Sequence, residues 1–467
     1  MGANFSIDPR FDPHTFTFPF GEGATSSDRK FPPARTLYPN LAEYARIRDV
    51  GRYYSTEFMQ REWDHLWSRT WTCAGRAADI PKPGNYFRYD LGRESFIVTR
   101  DQDNVVRAFY NACQHRGRQL IDDDFGTRTR FVCPFHSWAY DLTGKNVRVT
   151  DRGTFTERAL EGDLNLKAVR CETWAGFVFI NMDPAAPPLL EFLAEVPGLM
   201  SAYRMEDMHV VKDAVLEIDC NWKTGLEPFI ESYHVHITHP QALPILNDVY
   251  EQYDIFHNGH ARLATPLVSP SPRTGRPNEL NEGSKFFLLD AGIDPATFSG
   301  TIEDAREAIW QAKRKADNRY GVDFTRFTKS QVLDDWNYFL FPNMTFNTHP
   351  EGVLVMRFLP HPTNPEKFYY HVHVILPKLR EGVKAPFYMG VSDDADVSGR
   401  TRPAREWTTM AEPKMGEILE QDISNMVGTQ RGAHSKGFPG GMRFAERELR
   451  VQVFHAELDA YLSGRKW

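Results

Sequence analysis

Two short segments, Cys113-Gln114-His115 and Cys133-Pro134-Phe135-His136, decide the fold of this sequence. Each offers one thiolate and one imidazole, a mixed set of donors that suits zinc or an iron–sulfur centre. A structural zinc site more typically has two Cys-x2–4-Cys or His-x3–5-His pairs. One Cys and one His from each of two matching loops is instead what a [2Fe–2S] cluster needs when Cys ligates one iron and His the other. We therefore predict such a cluster at Cys113, His115, Cys133 and His136, with one loop on each of two β-hairpins.

The chain around these segments has the texture of a small β domain. From about residue 70 to residue 182, short alternating or apolar runs are separated by Gly and Asp, which is typical of strands and turns. The proline-rich connector 183–188 ends this pattern, because proline lacks the backbone donor of a sheet ladder. We predict a β domain at 70–183 and a second domain at 184–467. The segment 1–69 is predicted to be a leader followed by a helix, 39–70, that packs on the second domain.

Residues 184–467 mix both kinds of secondary structure, which indicates an α+β domain. Residues 258–300 contain several prolines and little periodicity, so we expect a lid or an inserted loop there. The predicted strands are 210–220, 353–359 and 368–376, and the predicted helices are 222–239, 302–317, 405–431 and 443–463.

A second group of metal-ligand residues lies between residues 221 and 240. If 222–239 is a helix, Glu227, Glu231 and His234 fall at positions i, i+4 and i+7 and share one polar stripe. The apolar residues Phe229, Ile230, Tyr233 and Ile237 form a neighbouring face, so the stripe is expected to border a core.

Two histidines at the end of this segment can meet at one metal ion. His234 and His239 are five residues apart, which an ideal helix separates by about 140°. Pro240 disfavours the α conformation at the residue before it, so the helix can end at His239 and the two imidazoles can converge. His236 stays open as the alternative ligand, because its spacing to His239 is the more regular one.

A carboxylate would complete a site for non-haem iron(II), which binds two histidines and one acid and keeps positions open for O₂ and substrate. Met415, Leu419, Asp422 and Met426 follow a heptad-like spacing, so Asp422 occupies a core-facing position. A buried Asp must be paired or bound to a metal. Asp422 is therefore the predicted third ligand, whereas Glu417 and Glu420 fall off the stripe and are interpreted as solvated charges.

Composition excludes several classes of function. The chain has 467 residues, a net charge of −7 and no basic block, which argues against nucleic-acid binding. No apolar run approaches the roughly 18 residues of a membrane span, the start lacks a secretory signal, and five scattered cysteines do not form a disulfide framework. We therefore expect a cytoplasmic protein without membrane contact. No nucleotide-binding glycine motif follows a strand, so electrons from NAD(P)H must come through a partner.

Both groups resemble one family. Residues 111–117 and 133–138, followed by Asp141, Gly144 and Lys145, resemble the cluster loops of Rieske ring-hydroxylating oxygenases. They lack the extra cysteine that respiratory Rieske proteins carry in each loop. A second stretch begins with Asn221-Trp222-Lys223, continues with one acid, and has another acid two residues before a Tyr-His-x4-His motif. This pattern is similar to the catalytic domain of the same family, which also has an Asp near the C-terminus. The resemblance runs from about Tyr53 to the end of the chain.

The resemblance implies a small all-β Rieske domain and a helix-grip (START/SRPBCC-like) catalytic domain with an antiparallel sheet. It carries over His234, His239 and Asp422 as the iron ligands and Glu231 as the acid that bridges the iron site and the cluster. This sequence departs from the family pattern at Pro228, where Asn is common, and at Glu231, where Asp is commoner. A Glu at the bridging position is similar to oxygenases that act on quaternary ammonium compounds.

The family resemblance also implies the partners and the reaction. A ferredoxin, a flavin reductase or both would supply electrons, and O₂ would be the cosubstrate that hydroxylates or oxidatively demethylates a small aromatic or N-methylated substrate. By analogy the chain would form a homotrimer, a hexamer or an assembly with a small β subunit. Two alternatives stay open at this point: a Rieske electron-transfer or redox-sensing protein with a ligand-binding domain, and a zinc-binding structural module.

Overall fold

The computed structural model describes residues 34–466, so the leader predicted at the start of the chain lies outside the described residues. The described chain divides into two compact units. The larger unit holds the residues up to Met59, Leu193–Leu359 and Pro365–Ala460, and the smaller unit holds Gln60–Phe192, Pro360–Asn364 and the chain from Tyr461 onward. The domain limits 70–183 and 184–467 stay a prediction.

Strands account for most of the regular structure of the smaller unit and for the central sheet of the larger unit. In chain order they are β1 (Arg46–Ile47), β2 (Thr72–Arg76), β3 (Asn85–Leu91), β4 (Glu94–Arg100), β5 (Val106–Tyr110), β6 (Phe125–Thr127), β7 (Phe131–Val132), β8 (Ala139–Tyr140), β9 (Asn146–Arg148), β10 (Ala168–Trp174), β11 (Phe177–Asn181), β12 (His209–Ile218), β13 (Gln252–Ile255), β14 (Ala261–Thr265), β15 (Asp335–Leu340), β16 (Met344–His349), β17 (Gly352–Pro360), β18 (Phe368–Leu376), β19 (Glu406–Thr408) and β20 (Met442–Arg443).

Most helices are short, and two long ones lie near the end of the chain. They are α1 (Ala34–Leu37), α2 (Thr56–Glu62), α3 (Leu189–Leu193), α4 (Val196–Met200), α5 (Trp222–Leu226), α6 (Val235–Thr238), α7 (Glu282–Asp290), α8 (Ile302–Lys313), α9 (Lys329–Leu333), α10 (Glu417–Ala433) and α11 (Leu449–Leu462). Single 3-10 turns include Leu41–Ala45, Val50–Tyr53, Glu227–Ile230 and Glu446–Glu448, and a π turn follows α2 at Trp63–Trp67. Among the described helices, none is both long and apolar enough to cross a membrane.

The smaller unit is built from two sheets. Seven strands pair in the order β2-β11-β10-β5-β4-β3-β6, and β7-β8-β9 form a second, three-stranded sheet. Cys113 and Cys133 belong to the buried core of this unit, together with Phe109, Trp138 and Tyr140. Because both thiols are part of the core, the packing of the two sheets fixes where the loops that carry them lie.

The larger unit is organised around one eight-stranded sheet with the order β13-β14-β15-β16-β17-β18-β12-β19. The pairs β13–β14, β14–β15, β15–β16, β16–β17 and β12–β18 are antiparallel, and β12–β19 is parallel. Phe454 of α11 contacts Phe339 of β15 and Trp222 of α5, so helix α11 packs directly on the sheet. This mixed helix and antiparallel sheet content agrees with the predicted α+β class.

Alternation along β15 separates two faces of the sheet. Asp335 and Asn337 line a cavity, and Phe339 continues the same face toward α11. Trp336 and Tyr338 point the other way, where the Arg262 guanidinium lies over the Trp336 ring. One face therefore bounds the cavity and the other forms a separate polar and aromatic layer.

Several predicted elements are wrong in detail. The predicted helix 405–431 contains strand β19 and begins only at Glu417, because Pro413 lacks the N–H that a continuous helix needs and Gly416 has a positive φ of 107°. The predicted helix 39–70 is instead a series of short turns and helices, interrupted where β1 pairs with β20.

The expected loop 258–300 also contains regular structure, namely β14 and α7. Strand β14 was hard to predict because it carries the buried charge of Arg262, which pairs with Asp254 on the neighbouring strand. Helix α7 begins at a capping box in which Asn281 accepts from the backbone N–H of Ser284.

Candidate functional site

The two cluster loops of the smaller unit have the same backbone hydrogen bonds. The N–H of Cys113 donates to the carbonyl of Arg118 (2.9 Å), and the N–H of Gly117 donates to the carbonyl of Cys113 (2.9 Å). In the second loop Cys133 and Ser137 repeat both bonds at equivalent positions, the first with Trp138. Gly117 and Ser137 both have positive φ, 75° and 58°, which completes the match.

The predicted placement of these loops is half right. The second loop joins β7 to β8, which pair as a hairpin, but the first follows β5 and leads to β6, and these two strands are not neighbours in the sheet. A hairpin is therefore not required for this loop shape. Both loops instead share the same two hydrogen bonds and one residue with positive φ.

The four predicted ligands of the smaller unit lie in one place. The ring centroids of His115 and His136 are 4.7 Å apart, and the His115 ring stacks on Trp138 at 5.0 Å. Burial and the neighbouring Cys133 thiol raise the pKa of Cys113. The Nδ1 atoms of both histidines are buried, and neither has a hydrogen-bond partner within residues 34–466.

This donor set fits a [2Fe–2S] cluster. A buried imidazole nitrogen without a partner is costly unless something absent from the protein chain binds it. Two such nitrogens stand beside two thiols that belong to the core, which is the mixed ligation that such a cluster takes. The Tyr140 hydroxyl lies 3.4 Å from the Cys113 sulfur and accepts from the backbone N–H of Gln114 (2.9 Å), so it holds the first loop in position.

In the larger unit the predicted continuous helix 222–239 is wrong, because the segment consists of two short helices separated by a 3-10 turn and an extended residue. Helix α5 ends at Leu226, and a 3-10 turn then contains Pro228, whose ring cannot be accommodated in the middle of an α-helix. Glu231 is extended, with φ −148° and ψ 178°, and helix α6 begins only after His234. The polar stripe expected on a continuous helix does not exist.

Glu227 consequently points away from the histidines. Its carboxylate accepts from the Tyr53 hydroxyl (2.7 Å) and lies 3.0 Å from the Nε2 atom of His455. Burial raises the pKa of Glu227 to about 8. The apolar face expected beside the stripe is also wrong in part, because Tyr233 and Ile237 are exposed.

The break brings two histidines and one carboxylate together. Nε2 of His239 lies 2.9 Å from Oδ1 of Asp422, and Nε2 of His234 lies 3.4 Å from the same oxygen. His239 leaves the helical conformation, with φ −123° and ψ 54°, as expected before Pro240. His236 is not part of this group, which consists of His234, His239 and Asp422.

The outer nitrogens of both rings are held by acceptors. Nδ1 of His234 lies 2.5 Å from Oε1 of Glu231, and Nδ1 of His239 lies 2.7 Å from Oε1 of Gln421. The same Gln421 oxygen also accepts from Gln241 (2.7 Å). Protonation at Nδ1 leaves the Nε2 lone pairs facing the Asp422 carboxylate.

Electrostatics at this site favours a cation. Burial acts to lower the pKa of His234, but the carboxylates of Glu231 and Asp422 outweigh it and raise the pKa. Asp422 is buried on the core-facing side of α10 with Leu419 and Met426, as its spacing predicts. Two imidazole nitrogens and one carboxylate that face each other are the donor set of a non-haem iron(II) site.

Glu420 has a structural role near this site. It accepts from the backbone N–H groups of Met415 (2.9 Å) and Gly416 (3.1 Å) and so supports the start of α10. Glu417 is exposed, as predicted. Neither carboxylate belongs to the group of His234, His239 and Asp422.

A cavity of about 550 Å³ lies beside the group and has a mainly apolar lining. His234, His239 and Asp422 all contribute to its wall. No local pattern in the sequence marks the polar residues of the sheet that line this cavity, and none marks Gln421. Gln421 directly precedes Asp422 in the sequence, but this position alone does not predict its contact with His239. The polar cavity residues outside the predicted ligand group include Lys212, Glu251, Asp335, Asn337, Asn347, His349 and Arg450.

A second cluster of titratable side chains, Asp213, His371 and His373, lies on β12 and β18. Its position next to Lys212 places it on the sheet face opposite the cavity. Oδ2 of Asp213 accepts from Arg402 (2.6 Å), and the Nδ1 atom of His371 lies 2.6 Å from the Arg357 guanidinium. Although burial opposes it, the two histidines hold the pKa of Asp213 far below its usual value.

The arginines around this second cluster argue for a charge network rather than a metal site. An arginine is permanently charged and would repel a divalent ion at the same carboxylate. Arg405 also lies 3.4 Å from Oδ1 of Asp213, so both carboxylate oxygens have cationic partners.

Comparison with known proteins places the fold in a family. The model of the Rieske [2Fe-2S] domain matches residues 70–159, and the model of the ring hydroxylating alpha subunit (catalytic domain) matches residues 205–464. A solved structure of a quaternary ammonium Rieske monooxygenase superposes with a TM-score of 0.65 at 18% identity, covering 93% of this chain and 99% of the other.

Two curated relatives extend the comparison. The glycine betaine monooxygenase oxygenase subunit of Pseudomonas aeruginosa is 30% identical over 197 residues, 42% of this chain and 45% of the relative. The large oxygenase component of the 2,4-dinitrotoluene dioxygenase system of Burkholderia sp. is 33% identical over 329 residues, 67% of each chain. The chain thus spans about half the length of the first curated relatives that it matches. With the catalytic-domain model matching more than half of its residues, the chain belongs to the family of ring-hydroxylating oxygenase alpha subunits, which carry a Rieske [2Fe–2S] cluster and a mononuclear iron.

Proposed function

We propose that this chain is the terminal oxygenase component of a Rieske oxygenase system. It would use electrons from a ferredoxin or flavin reductase, supplied ultimately by NAD(P)H, to hydroxylate or oxidatively demethylate a small aromatic or N-methylated substrate with O₂. One observation carries the proposal: His234, His239 and Asp422 converge on the wall of a cavity large enough for such a substrate. A ligand set that opens onto a cavity is typical of a catalytic site, since a structural metal site is closed.

The residues of the larger unit would act as follows. His234 and His239 would bind iron through Nε2, together with the carboxylate of Asp422. Glu231 would accept the outer N–H of His234 and hold it in the tautomer that leaves Nε2 free. It would also bridge the iron site and a cluster histidine of a neighbouring subunit. Gln421 would do the same for the tautomer of His239. When bound, the iron supplies a site for O₂ activation and the cluster supplies single electrons.

In the smaller unit Cys113 and Cys133 would ligate one iron of the cluster, and His115 and His136 the other. The partnerless Nδ1 atoms of the two histidines support this assignment. The exposed Arg116 and Phe135 lie over one another at 5.2 Å beside the histidines, so the protein surface near the cluster has a cationic and an aromatic side chain. A surface of this kind suits a protein electron donor.

The cavity lining supports an organic substrate. Apolar side chains such as Phe229, Leu354 and Met356 would position the substrate and exclude water from the reacting atoms. The names of the relatives include a quaternary ammonium compound and a nitroaromatic compound, so both substrate classes stay within the proposal.

The assembly and location are further parts of the proposal. A homotrimer, a hexamer or an assembly with a small β subunit rests on family analogy. No disulfide joins cysteines within residues 34–466, which supports the reducing environment of the cytoplasm.

Replacing Cys133 by Ala should remove the cluster, since a methyl group cannot replace an anionic thiolate ligand. We expect the visible absorption and the paramagnetic signal of the reduced cluster to disappear. Cys171→Ala is the matched control, because Cys171 is a free thiol outside both loops and should leave the spectra unchanged. A normal cluster signal in Cys133→Ala would reject the ligand assignment.

Replacing Asp422 by Ala tests the function itself. The wild-type protein should contain about three iron atoms per chain and consume O₂ with a reductase and substrate, whereas the variant should approach about two and lose at least about 99% of the O₂ uptake. The cluster absorption should persist. Glu417→Ala, on the same helix, should keep the third iron. A Rieske electron-transfer protein would show about two irons before any mutation, and unchanged iron in Asp422→Ala would reject Asp422 as a ligand.

Glu231→Gln keeps the size of the side chain but removes its charge. We expect both metal centres to remain and the cluster to be reducible, while reoxidation of the reduced cluster with substrate and O₂ slows by about tenfold or more. Stopped-flow absorption in a single turnover measures this rate. Glu279→Gln, an exposed carboxylate of the same unit, serves as the control. Reoxidation at the wild-type rate would exclude the bridging role.

Gln421→Leu removes the acceptor of the outer N–H of His239 but keeps the approximate volume of the side chain. We expect the affinity for iron to fall about 10–100-fold, because the imidazole loses its fixed tautomer and orientation. Titration with a chelator of known affinity measures the change. Ser424→Ala, exposed on the same helix, should have no effect. Equal affinities in wild type and Gln421→Leu would show that the contact does not orient His239.

A further inference from the structure

The cavity wall formed by β15 and β16 carries two rows of polar side chains. Asn337 pairs across the strands with Asn347, and the same register sets Asp335 opposite His349. All four residues line the cavity, whose remaining surface is mainly apolar. A polar group in such a lining fixes the orientation and identity of a ligand, since burying it without a use is costly.

Hydrogen bonds link these side chains in series, and each bond runs from donor to acceptor toward Asp335. Arg450 donates to Oδ1 of Asn337 (2.7 Å), and the Asn337 amide donates to Oδ1 of Asn347 (3.0 Å). The Asn347 amide then donates to Oδ2 of Asp335 (2.7 Å). Nε2 of His349 lies 3.2 Å from the other carboxylate oxygen. The chain of donors therefore ends on the Asp335 carboxylate, which is a fixed acceptor.

The other buried ionisable groups around the cavity are already engaged. Glu231 contacts His234, and Glu251 contacts Ser232, Thr265 and Arg447. The Lys212 ammonium donates to the backbone carbonyls of Gly390 and Met415.

Asp335 differs from these groups. Within residues 34–466 its carboxylate has no ion pair with Lys or Arg at contact distance, and its partners are the Asn347 amide and the His349 ring. Its side chain is 20% exposed, and each carboxylate oxygen can accept a further hydrogen bond.

Aromatic side chains lie against His349, the imidazole partner of this carboxylate, on the wall of the same cavity. The Tyr388 ring centroid is 4.8 Å from that of His349, and Phe387 packs against Tyr388 at 5.2 Å. Both rings line the cavity, and the Tyr388 hydroxyl is fixed by Glu351. Aromatic faces beside a carboxylate favour an organic cation, which gains both a counter-charge and cation–π contact.

From these contacts we infer that Asp335 binds a cationic amine group of the substrate. The inference rests on the proposed function, because it assigns the substrate class of that cavity. It selects the N-methylated class, in its cationic form, over uncharged aromatics. A neutral substrate would leave the Asp335 carboxylate without a Lys or Arg partner at contact distance, because the nearby Arg450 guanidinium is hydrogen-bonded to Asn337, whereas a cationic substrate group supplies that direct partner.

Calorimetric titration of the iron-loaded, cluster-containing protein at pH 7 tests this inference. Benzylammonium and benzyl alcohol have nearly the same shape, and only the first is charged. We expect wild type to bind benzylammonium at least about tenfold more tightly. Asp335→Asn keeps the size of the side chain and should lose that preference, with the affinity for benzyl alcohol unchanged within about threefold. Asp393→Asn, which removes an exposed carboxylate, should behave as wild type.

Each outcome is decisive. Equal affinities of wild type for the two probes overturn the inference, and so does an Asp335→Asn variant that keeps the preference for benzylammonium. If Asp335→Asn does not fold, the wild-type pair decides alone. Binding is read without turnover, so a protein that prefers the cation but consumes no O₂ would support this inference and contradict the proposed function. A protein that turns over uncharged aromatics and shows no preference for the cation would support the proposed function and contradict this inference.

Discussion

The convergence of His234, His239 and Asp422 depends on the backbone leaving the helix between Leu226 and Val235. A continuous helix would direct His234 and His239 to different sides, about 140° apart. Pro228 removes a helical donor, Glu231 is extended, and the chain re-enters a helix only for one turn. The break turns both Nε2 atoms toward the same carboxylate oxygen and leaves Glu231 against the outer nitrogen of His234.

The group also requires that helix α10 packs in one rotation about its axis and one position along it. Its consecutive residues Gln421 and Asp422 are about 100° apart around the helix, so one reaches the outer nitrogen of His239 while the other faces the inner one. Contacts farther along fix the docking. The Gln430 amide oxygen accepts from the backbone N–H of Asn221 (2.9 Å), directly before α5, and the carbonyl of Met415 accepts from Lys212 (3.0 Å).

Successive side chains of the sheet point to opposite faces, so one face lines the cavity and the other holds a buried charge network. Lys212 faces the cavity, whereas the adjacent Asp213 joins the buried histidines and arginines of the opposite face. Removing one member of a buried charge network leaves the others uncompensated, which is costly. Removing one of its members would therefore destabilise the strand that carries Lys212. The cavity face, by contrast, contains Asp335, a carboxylate held by an amide and an imidazole group.

The sequence by itself determined which residues could form the two groups of metal-ligand side chains. The spacing of Cys113 and His115, the proline after His239 and the Asp at an apolar helix position are local patterns that require only the neighbouring residues. The break at Glu231, the role of Gln421 and the polar rows around Asp335 were decided by the tertiary structure. Gln421 and His239 are 182 residues apart, and Asp335 meets His349 only through strand register. Such contacts arise from packing between distant segments, and a local pattern of residue types contains no information about which distant segment will be its neighbour.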